Sequence, residues 1–420
     1  MKTLAKKIVL KILKVLARRR LAKFKGKVIA ITGSVGKTST KEAIFAVLNT
    51  QYRVRRNLGS MNSDFGMLLT ILDIKSGYNS ATKWSWYLLK GFLHSFMRDA
   101  SEVLVLEMGV DKPGDMDFLT SVVKPDLVVF TNVAGVHLAE GQFKDAKEVY
   151  AEKSKLLKAL KDSGKALFNL DNAYTKAAYG EFDRERRVGY SALGEADFGV
   201  TKVRSSLEGI EFEVVHEEEK LVFRSEVLGR YQVYVLLPAI ACGLLLKMSY
   251  EQIAEAVSRF KLPPGRMSLI EGIEGAQILD SSYNSSPFAL REALGVLEEL
   301  AEGRRKVAVL GSMNELGEVS QEQHEIIGEI CVGKVDLLIT VGKEAKWIAD
   351  KALEMGMSPA TVFKFSYAKE AAEFFKKHVK SGDLVLVKGS QNRVRLEVFV
   401  KELMLEPEKA AEVLVRQDWK

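Results

Sequence analysis

Cysteine is scarce: Cys242 and Cys331 are the only two in 420 residues, and they stand far apart. No disulfide framework and no cysteine-built zinc site can be drawn from them, which suits a reducing cytoplasm. Long apolar runs are missing as well. The N-terminal stretch is interrupted by lysine too often to span a bilayer, and it lacks the small-residue cleavage site of a secretory signal. Residues 1–27 contain no acid at all, against eleven Lys or Arg. Removing those eleven charges from the net +7 leaves −4 for everything from Val28 onward. The basic balance therefore belongs to an arm, and no nucleic-acid groove is implied. No internal repeat or low-complexity segment is present.

What remains is ordinary globular composition, 47% hydrophobic and 28% charged, in a chain too long for one core. In the arm, Ala5, Ile8, Val9, Ile12, Leu13 and Leu16 follow one helical stripe, with Lys6, Lys7, Lys11, Lys14 and Arg18 largely off it. Two readings stay open: a helix packed on the next domain with solvated charges, or one lying on an anionic inner membrane face.

From Lys27 the pattern changes to short apolar runs alternating with helical stretches. KVIAIT (27–32), EVLVLEMG (102–109), DLVVFTNV (126–133) and KALFNL (165–170) read as buried strands, with a helix over Lys37–Thr50. This alternation predicts an α/β, mostly parallel sheet. Between Phe198 and Val227, GVTKV, GIEFEVV and KLVFRSEV alternate instead, as an antiparallel patch at the sheet edge would. LPPGR (262–266) reads as a linker. A second series follows: QILDSS (277–282), a helix over Phe288–Ala301, KVAVLGSM (306–313), DLLITVG (336–342) and DLVLVKGS (383–390). The expected organisation is a basic amphipathic helical arm (1–27), a P-loop central domain (28–263) and a C-terminal Rossmann-like α/β domain (264–420).

The sharpest local signal is VIAITGSVGKTSTKEAI, where a buried strand runs into Gly33, Ser34, Val35, Gly36, Lys37 and Thr38 and then into a helix. Glycines let backbone N–H groups turn inward on phosphate oxygens, and the helix N-terminus adds favourable partial charge. Lys37 would reach the β/γ-phosphates and the Thr38 hydroxyl would sit on Mg²⁺. The strict pattern asks for glycine where Ile31 stands. Such a loop indicates a nucleoside triphosphate without saying what is done with it.

TGSVGKTST resembles the ATP loop of the Mur ligases, which couple ATP hydrolysis to amide-bond formation in cell-wall precursor synthesis. Further segments follow in that family's order: NLGSMNSDFGMLLTIL (57–72), LEMGVDKPGDMDFLTSVVKPDLVVFTNVAGVHL (106–138), PGRM (264–267), LDSSYNSSPFALREAL (279–294), VLGSMNELGEVSQEQH (309–324) and LVKGSQNRVRLE (386–397). The resemblance runs from Val28 to about Glu402. Within the family, DSSYNSSP (280–287) and GSMNELG (311–317) are similar to the branch that adds D-alanyl-D-alanine to UDP-N-acetylmuramoyl-tripeptide. The Asp-Asn-Pro-Arg motif of the diaminopimelate-adding branch does not occur.

The resemblance implies ATP and Mg²⁺ as cofactors, with roles for particular residues. Gly33, Ser34, Gly36, Lys37, Thr38 and Ser39 would cradle the phosphates. Glu107, with His137 and Thr38, would hold metal, and Lys37, His137 and a carbamylated Lys153 would serve catalysis. Asn132, Arg266, Asp280 and Asn284 would frame the nucleotide, and Lys388 could face the substrate. A carbamate turns the lysine amine into an anion able to hold Mg²⁺-bound geometry. Lys155 lies nearby as the other candidate, because the interval from His137 to Lys153 is longer than the family's usual one. The family's Gly-x-His-x-x-x-Asn signature reads Tyr231 and Val235 here at the His and Asn positions.

The phosphate loop arrives at residue 33, so the separate uridine-nucleotide-binding domain of that branch is expected to be missing, with the basic arm in its place. Three functions follow from the sequence. One is a cytoplasmic ligase joining D-alanyl-D-alanine to a UDP-muramoyl-peptide, with peripheral inner-membrane contact through residues 1–27 left open. Another is a Mur-type ligase for a different, lipid-linked acceptor, although two cysteines cannot build the four-cysteine zinc cluster of lipid-linked amidating relatives. The third is a nucleotide-binding scaffold without ligase chemistry.

Overall fold

Strands β1 (Lys27–Thr32), β3 (Val103–Glu107), β4 (Leu127–Phe130), β5 (Lys165–Asn169) and β6 (Arg187–Ser191) are mostly apolar, with the short, half-buried β2 (Val54–Arg56) at the edge, and β1, β3, β4 and β5 are buried almost end to end. That is the signature of a parallel sheet covered on both faces. The computed structural model describes residues 2–58, 62–76, 80–135, 138–391 and 394–417, with side chains from Lys6 onward except that of Ala81. His137 lies outside the described residues.

Successive side chains of β1, β3 and β4 point to opposite faces and divide between two cores. Ile29, Ile31, Val103, Val105 and Val129 pack beneath helix α2 (Lys37–Leu48). Val28, Ala30, Leu104, Leu106 and Val128 face helices α1 (Lys2–Leu21), α3 (Asp64–Leu72), α4 (Ala81–Phe96), α5 (Asp115–Thr120) and α6 (Ala146–Lys158). Helix α7 (Ala173–Glu181) joins β5 to β6. Beyond β6 the sheet continues through β7 (Phe198–Ser206), β8 (Gly209–His216) and β9 (Glu219–Ser225), the antiparallel edge expected from the sequence. The nine strands run in the order β2-β3-β1-β4-β5-β6-β7-β8-β9. Helices α8 (Val233–Leu245) and α9 (Tyr250–Ser258) complete the α2 face.

A second sheet, in the order β10-β11-β15-β12-β13-β14, is built from β10 (Ser268–Glu271), β11 (Gln277–Ser281), β12 (Lys306–Gly311), β13 (Leu337–Val341), β14 (Val362–Phe365) and β15 (Leu384–Lys388). Only β10 is antiparallel. Helix α10 (Pro287–Leu300) starts with the Ser286 side chain accepting from the Ala289 N–H and with Pro287 in its first turn, a favourable start for a helix.

The arm is helical, but its apolar stripe is divided. Leu13, Leu16 and Ala17 are buried in the core while Ile8 and Ile12 are exposed, because α1 packs on α3 and α4 with the Leu13–Ala17 side inward. Arg20 ends the buried side, its guanidinium donating to the Leu72 carbonyl and standing 3.2 Å from the Asp99 carboxylate. Among the described residues no helix is long and apolar enough to cross a membrane.

Candidate nucleotide and acyl-transfer site

The carboxyl ends of β1, β3 and β4 open into a cleft of about 470 Å³, closed on its far side by the loops after β11 and β12 and by residues near the end of β15. Ligands of open α/β sheets bind at such strand ends. Gly33 and Gly36 have φ of 146° and 85°, where a side chain is strained, and a Cβ on Gly33 would meet Thr131 Oγ1 at 2.0 Å. The loop is locked against the segment after β4: Ser34 N–H donates to the Asn132 carbonyl at 2.5 Å, and Thr131 Oγ1 donates to the Val35 carbonyl at 2.9 Å. Gly36 supplies no side-chain cap to α2, so the N–H groups of the first turn are left facing the cleft that Lys37, Thr38 and Ser39 line. Ser286, Phe288 and Ala289, at the start of α10, line the same cleft, so two helix N-termini meet there, an arrangement suited to anionic oxygens.

Glu107 closes β3 and is 1% exposed. Its Oε1 accepts from Thr38 Oγ1 and from Asn62 Nδ2, each at 3.0 Å. Its Oε2 lies 3.5 Å from Lys41 Nζ and has no hydrogen-bond partner among the described residues. Asn57 grips the same residue's backbone, accepting from the Glu107 N–H at 2.9 Å and donating to its carbonyl at 3.1 Å. A buried carboxylate beside a hydroxyl, with one oxygen unsatisfied, is a hard oxygen pair that fits Mg²⁺. No group of three or more His, Cys, Asp or Glu among the described residues is arranged to hold a metal by itself. Mg²⁺ takes one or two protein oxygens and completes its shell with water and phosphate.

Lys37 Nζ donates to the Ser34 carbonyl at 3.1 Å. Desolvation lowers its pKa, opposed by Glu107 and Asp111, while Arg266 adds to the lowering. Lys153, on α6, is fully buried, and its Nζ has no hydrogen-bond partner among the described residues. It does not line the cleft but lies behind it. Desolvation first, then the Lys37 ammonium, hold its amine well below the ordinary lysine range. Lys155 turns outward and pairs with Asp117 at 2.6 Å and Glu152 at 2.7 Å.

Asn132, Arg266 and Asn284 all line the cleft. The Asn132 side-chain carbonyl accepts from Asn172 at 2.8 Å, and the Arg266 guanidinium stacks 4.3 Å from the centre of the Tyr283 ring. Asp280 does not reach the wall. It is buried one residue behind it, accepting from the Ser282 N–H at 3.0 Å, and desolvation pushes its pKa up to about 6. Lys388 donates to Ser281 Oγ and to the Asn284 carbonyl; desolvation and then Arg266 bring its pKa down to about 7.

Other residues in and behind the wall gain their role only from the fold. Asn57 and Asn62 stood inside a matching segment, but only the fold shows that they hold Glu107. Lys41 sits one helical turn beyond Thr38, a spacing that puts both on one side of α2. Tyr231, Tyr234 and Val235 form another wall, and Tyr234 O–H donates to Asp171 at 2.8 Å. Asn314, Glu315 and Gln391 come from loops that follow strands of the second sheet, and the Leu138 N–H donates to the Glu315 carbonyl at 3.1 Å, a direct contact between the two halves.

Residues 31–243 match the Mur ligase middle domain and residues 265–391 the Mur ligase, glutamate ligase domain. The UDP-N-acetylmuramoyl-tripeptide--D-alanyl-D-alanine ligase of Bacillus subtilis (strain 168) is 31% identical over 394 residues, covering 93% of this chain and 79% of that protein. The MurF ligase of Thermotoga maritima, solved with ADP, superposes with a TM-score of 0.78 at 26% identity, over 95% of this chain and 84% of that one. A MurF from Acinetobacter baumannii, at 24% identity and a TM-score of 0.77, shares the fold over 93% of this chain and 80% of its own. With a phosphate loop, a buried glutamate and a two-sheet cleft in the family's order, this chain belongs to the Mur ligase family.

Proposed function

We propose that the chain is an ATP-dependent, ADP-forming amide ligase of cell-wall precursor synthesis that joins D-alanyl-D-alanine to UDP-N-acetylmuramoyl-tripeptide. The observation that carries this reading is the buried Glu107 carboxylate, hydrogen-bonded to Thr38 of the phosphate loop, with a second oxygen that lies 3.5 Å from Lys41 Nζ and accepts no hydrogen bond among the described residues. The named activity of the Bacillus subtilis relative, matched over most of both chains, supports the choice of substrates.

In this reading the acceptor's carboxylate oxygen attacks the γ-phosphorus of ATP, the bond to the β,γ-bridging oxygen breaks, and ADP leaves. The D-alanyl-D-alanine amine then attacks the acyl-phosphate carbonyl. The tetrahedral species loses inorganic phosphate, and the amine proton passes to solvent or a base. Mg²⁺, held through Thr38 and Glu107 with His137 as a further ligand, would neutralise charge on the phosphates. Lys37, with the N–H groups of the Gly33–Ser39 loop, holds the γ-phosphoryl group as charge develops on it. Arg266, Asn132 and Asn284 position the nucleotide, and Asp280 acts from behind the wall by setting the loop that carries Tyr283 and Asn284. Burial pushes the Lys153 amine well below the ordinary lysine range, which favours the neutral form whose free electron pair adds to carbon dioxide with loss of a proton. The resulting carbamate would add an anion at that point, beside the carboxylates of Asp111, Glu152 and Glu107 that already act on Lys153.

The three units 1–27, 28–263 and 264–420 belong to the same reading, as do a cytoplasmic location and peripheral contact of residues 1–27 with the inner membrane face. Incubation with ATP, Mg²⁺, UDP-N-acetylmuramoyl-tripeptide and D-alanyl-D-alanine should yield the pentapeptide product and one phosphate per amide. Phosphate release only with a lipid-linked acceptor would replace this reading with the other ligase. No turnover with either acceptor would leave the scaffold.

A further inference from the structure

Helix α4 is apolar on two sides. Trp84, Tyr87 and Leu88 pack against the core, and Gly91 is pressed so close that an added Cβ would meet Ile74 Cδ1 at 3.2 Å. On the other side Trp86, Leu89, Phe92, Leu93, Phe96 and Met97 are 45–63% exposed. Their spacing of three, four and seven puts them along one stripe of the helix. A surface helix normally turns a polar face outward, and a contiguous apolar stripe marks an interaction site.

Helix α1 lies alongside and extends the stripe with Ile8, Ile12 and Val15, which are 42–66% exposed. The two helices are tied together at one end, where the Arg19 guanidinium sits 3.6 Å from the centre of the Phe96 ring and Lys23 Nζ donates to the Phe96 carbonyl. Neither helix carries an acid: there is no Asp or Glu in residues 1–27 or 74–98. Lys7, Lys11, Lys83, Lys90 and Arg98 stand exposed around the stripe.

We propose that this paired face of α4 and α1 binds the surface of an anionic lipid bilayer. The aromatic and aliphatic side chains of α4 enter the headgroup–acyl boundary, and the surrounding cations hold headgroup phosphates. Charge decides the occupant. Two copies meeting face to face would bring together cationic rims from helices that carry no acid of their own, whereas an anionic bilayer supplies the complementary sign over an unlimited area. Tryptophan and phenylalanine among lysines also suit the interfacial layer, where one end of a side chain is apolar and the other wet. This inference goes beyond contact through residues 1–27. Leu13 and Leu16 stay in the core, and α4 is the element that inserts. It does not depend on the ligase reading, since its test has no catalytic readout.

The full chain should sediment with phosphatidylcholine vesicles that contain phosphatidylglycerol and not with phosphatidylcholine alone, less strongly as salt is raised. Trp86 should shift its emission to the blue on binding, and Trp86→Phe should remove most of that shift. Leu89→Glu with Leu93→Glu should weaken binding roughly tenfold or more, while Leu193→Glu, at an unrelated exposed position, should not. Lys7→Glu with Lys11→Glu changes only solvated side chains, so it tests the charge even if the α4 variant unfolds. Equal binding by wild type and both double variants would overturn the proposal, as would failure to bind anionic vesicles. So would a concentration-dependent dimer that Leu89→Glu with Leu93→Glu abolishes, since the face would then belong to a second copy.

Discussion

Lys153 lies within the field of Lys37: burial first, and the Lys37 ammonium next, hold its amine well below the usual lysine range. An ammonium cannot attack carbon dioxide, and a neutral amine can. With ¹³C-bicarbonate, the wild type should show a carbamate resonance that disappears on acidification and is absent from Lys153→Ala. That variant should lose about 10²-fold in kcat, partly restored by a small carboxylate such as acetate. Lys155→Ala removes only a partly exposed ion pair and should keep both the resonance and the activity. A resonance that survives in Lys153→Ala would place the modification elsewhere.

Gly33→Ala should damage the loop through sterics. Its Cβ would fall 2.0 Å from Thr131 Oγ1, and the Thr131 hydroxyl is itself held by the Val35 carbonyl, so it cannot simply swing away. A loss of about 1–3 kcal/mol in unfolding free energy is expected, together with weaker ATP binding. Denaturant titration and calorimetry would read the two effects; an unchanged midpoint and affinity would contradict the packing described.

Much of this site was legible in the sequence because it is local. The strand Lys27–Thr32, the glycine loop and the helix after it follow one another in the chain, and their chemistry is carried by residue type and spacing. Glu107 could be placed at a strand end for the same reason. The partners that hold Glu107 could not: Asn57 and Asn62 reach it from one other stretch of the chain and Lys41 from another, and only packing brings them together. Asp280 shows the opposite case. Its motif implied nucleotide contact, but strand pairing with Val387 puts it inside the sheet, and the residues after it form the wall. The apolar residues of the arm form one stripe in the sequence, whereas α4 covers part of α1 and shifts which side is buried. Alternation cannot reveal such a helix, because it is apolar on both sides.

Lys388 should make stability depend on pH. Its folded pKa, about 7, is below its ordinary value of 10.5, so between these pH values the unfolded chain binds more protons than the folded one. Stability from this residue therefore rises as pH increases from 7 toward 10.5, with a slope of at most about 1.4 kcal/mol per pH unit. Asp280 has the opposite sign, since its raised pKa favours the folded state at low pH and that contribution is lost as pH rises from about 4 to 6. Urea titrations of wild type and Lys388→Met at pH 7, 8 and 9 should diverge, with the upward slope smaller in the variant. Parallel curves would contradict the desolvated lysine.

Gly317 packs directly against the Leu138 carbonyl, where an added Cβ would stand 2.4 Å from the oxygen. Gly317→Val should force the two sheets apart at the Leu138–Glu315 hydrogen bond. Activity is expected to fall, since a displacement of about 1 Å can lower a rate 10²-fold. Steady-state kinetics should then show a reduced kcat with ATP still bound by the loop at Gly33–Thr38. Unchanged kinetics would show that this contact is not part of the active arrangement.

The central claim is that ATP activates the acceptor carboxylate for amide formation. It is tested most directly by labelling the acceptor's terminal carboxylate with ¹⁸O and analysing the released phosphate by mass spectrometry. An acyl-phosphate route transfers one labelled oxygen to inorganic phosphate for each amide formed. Unlabelled phosphate would mean that water, not the acceptor, attacks ATP, and would contradict the account.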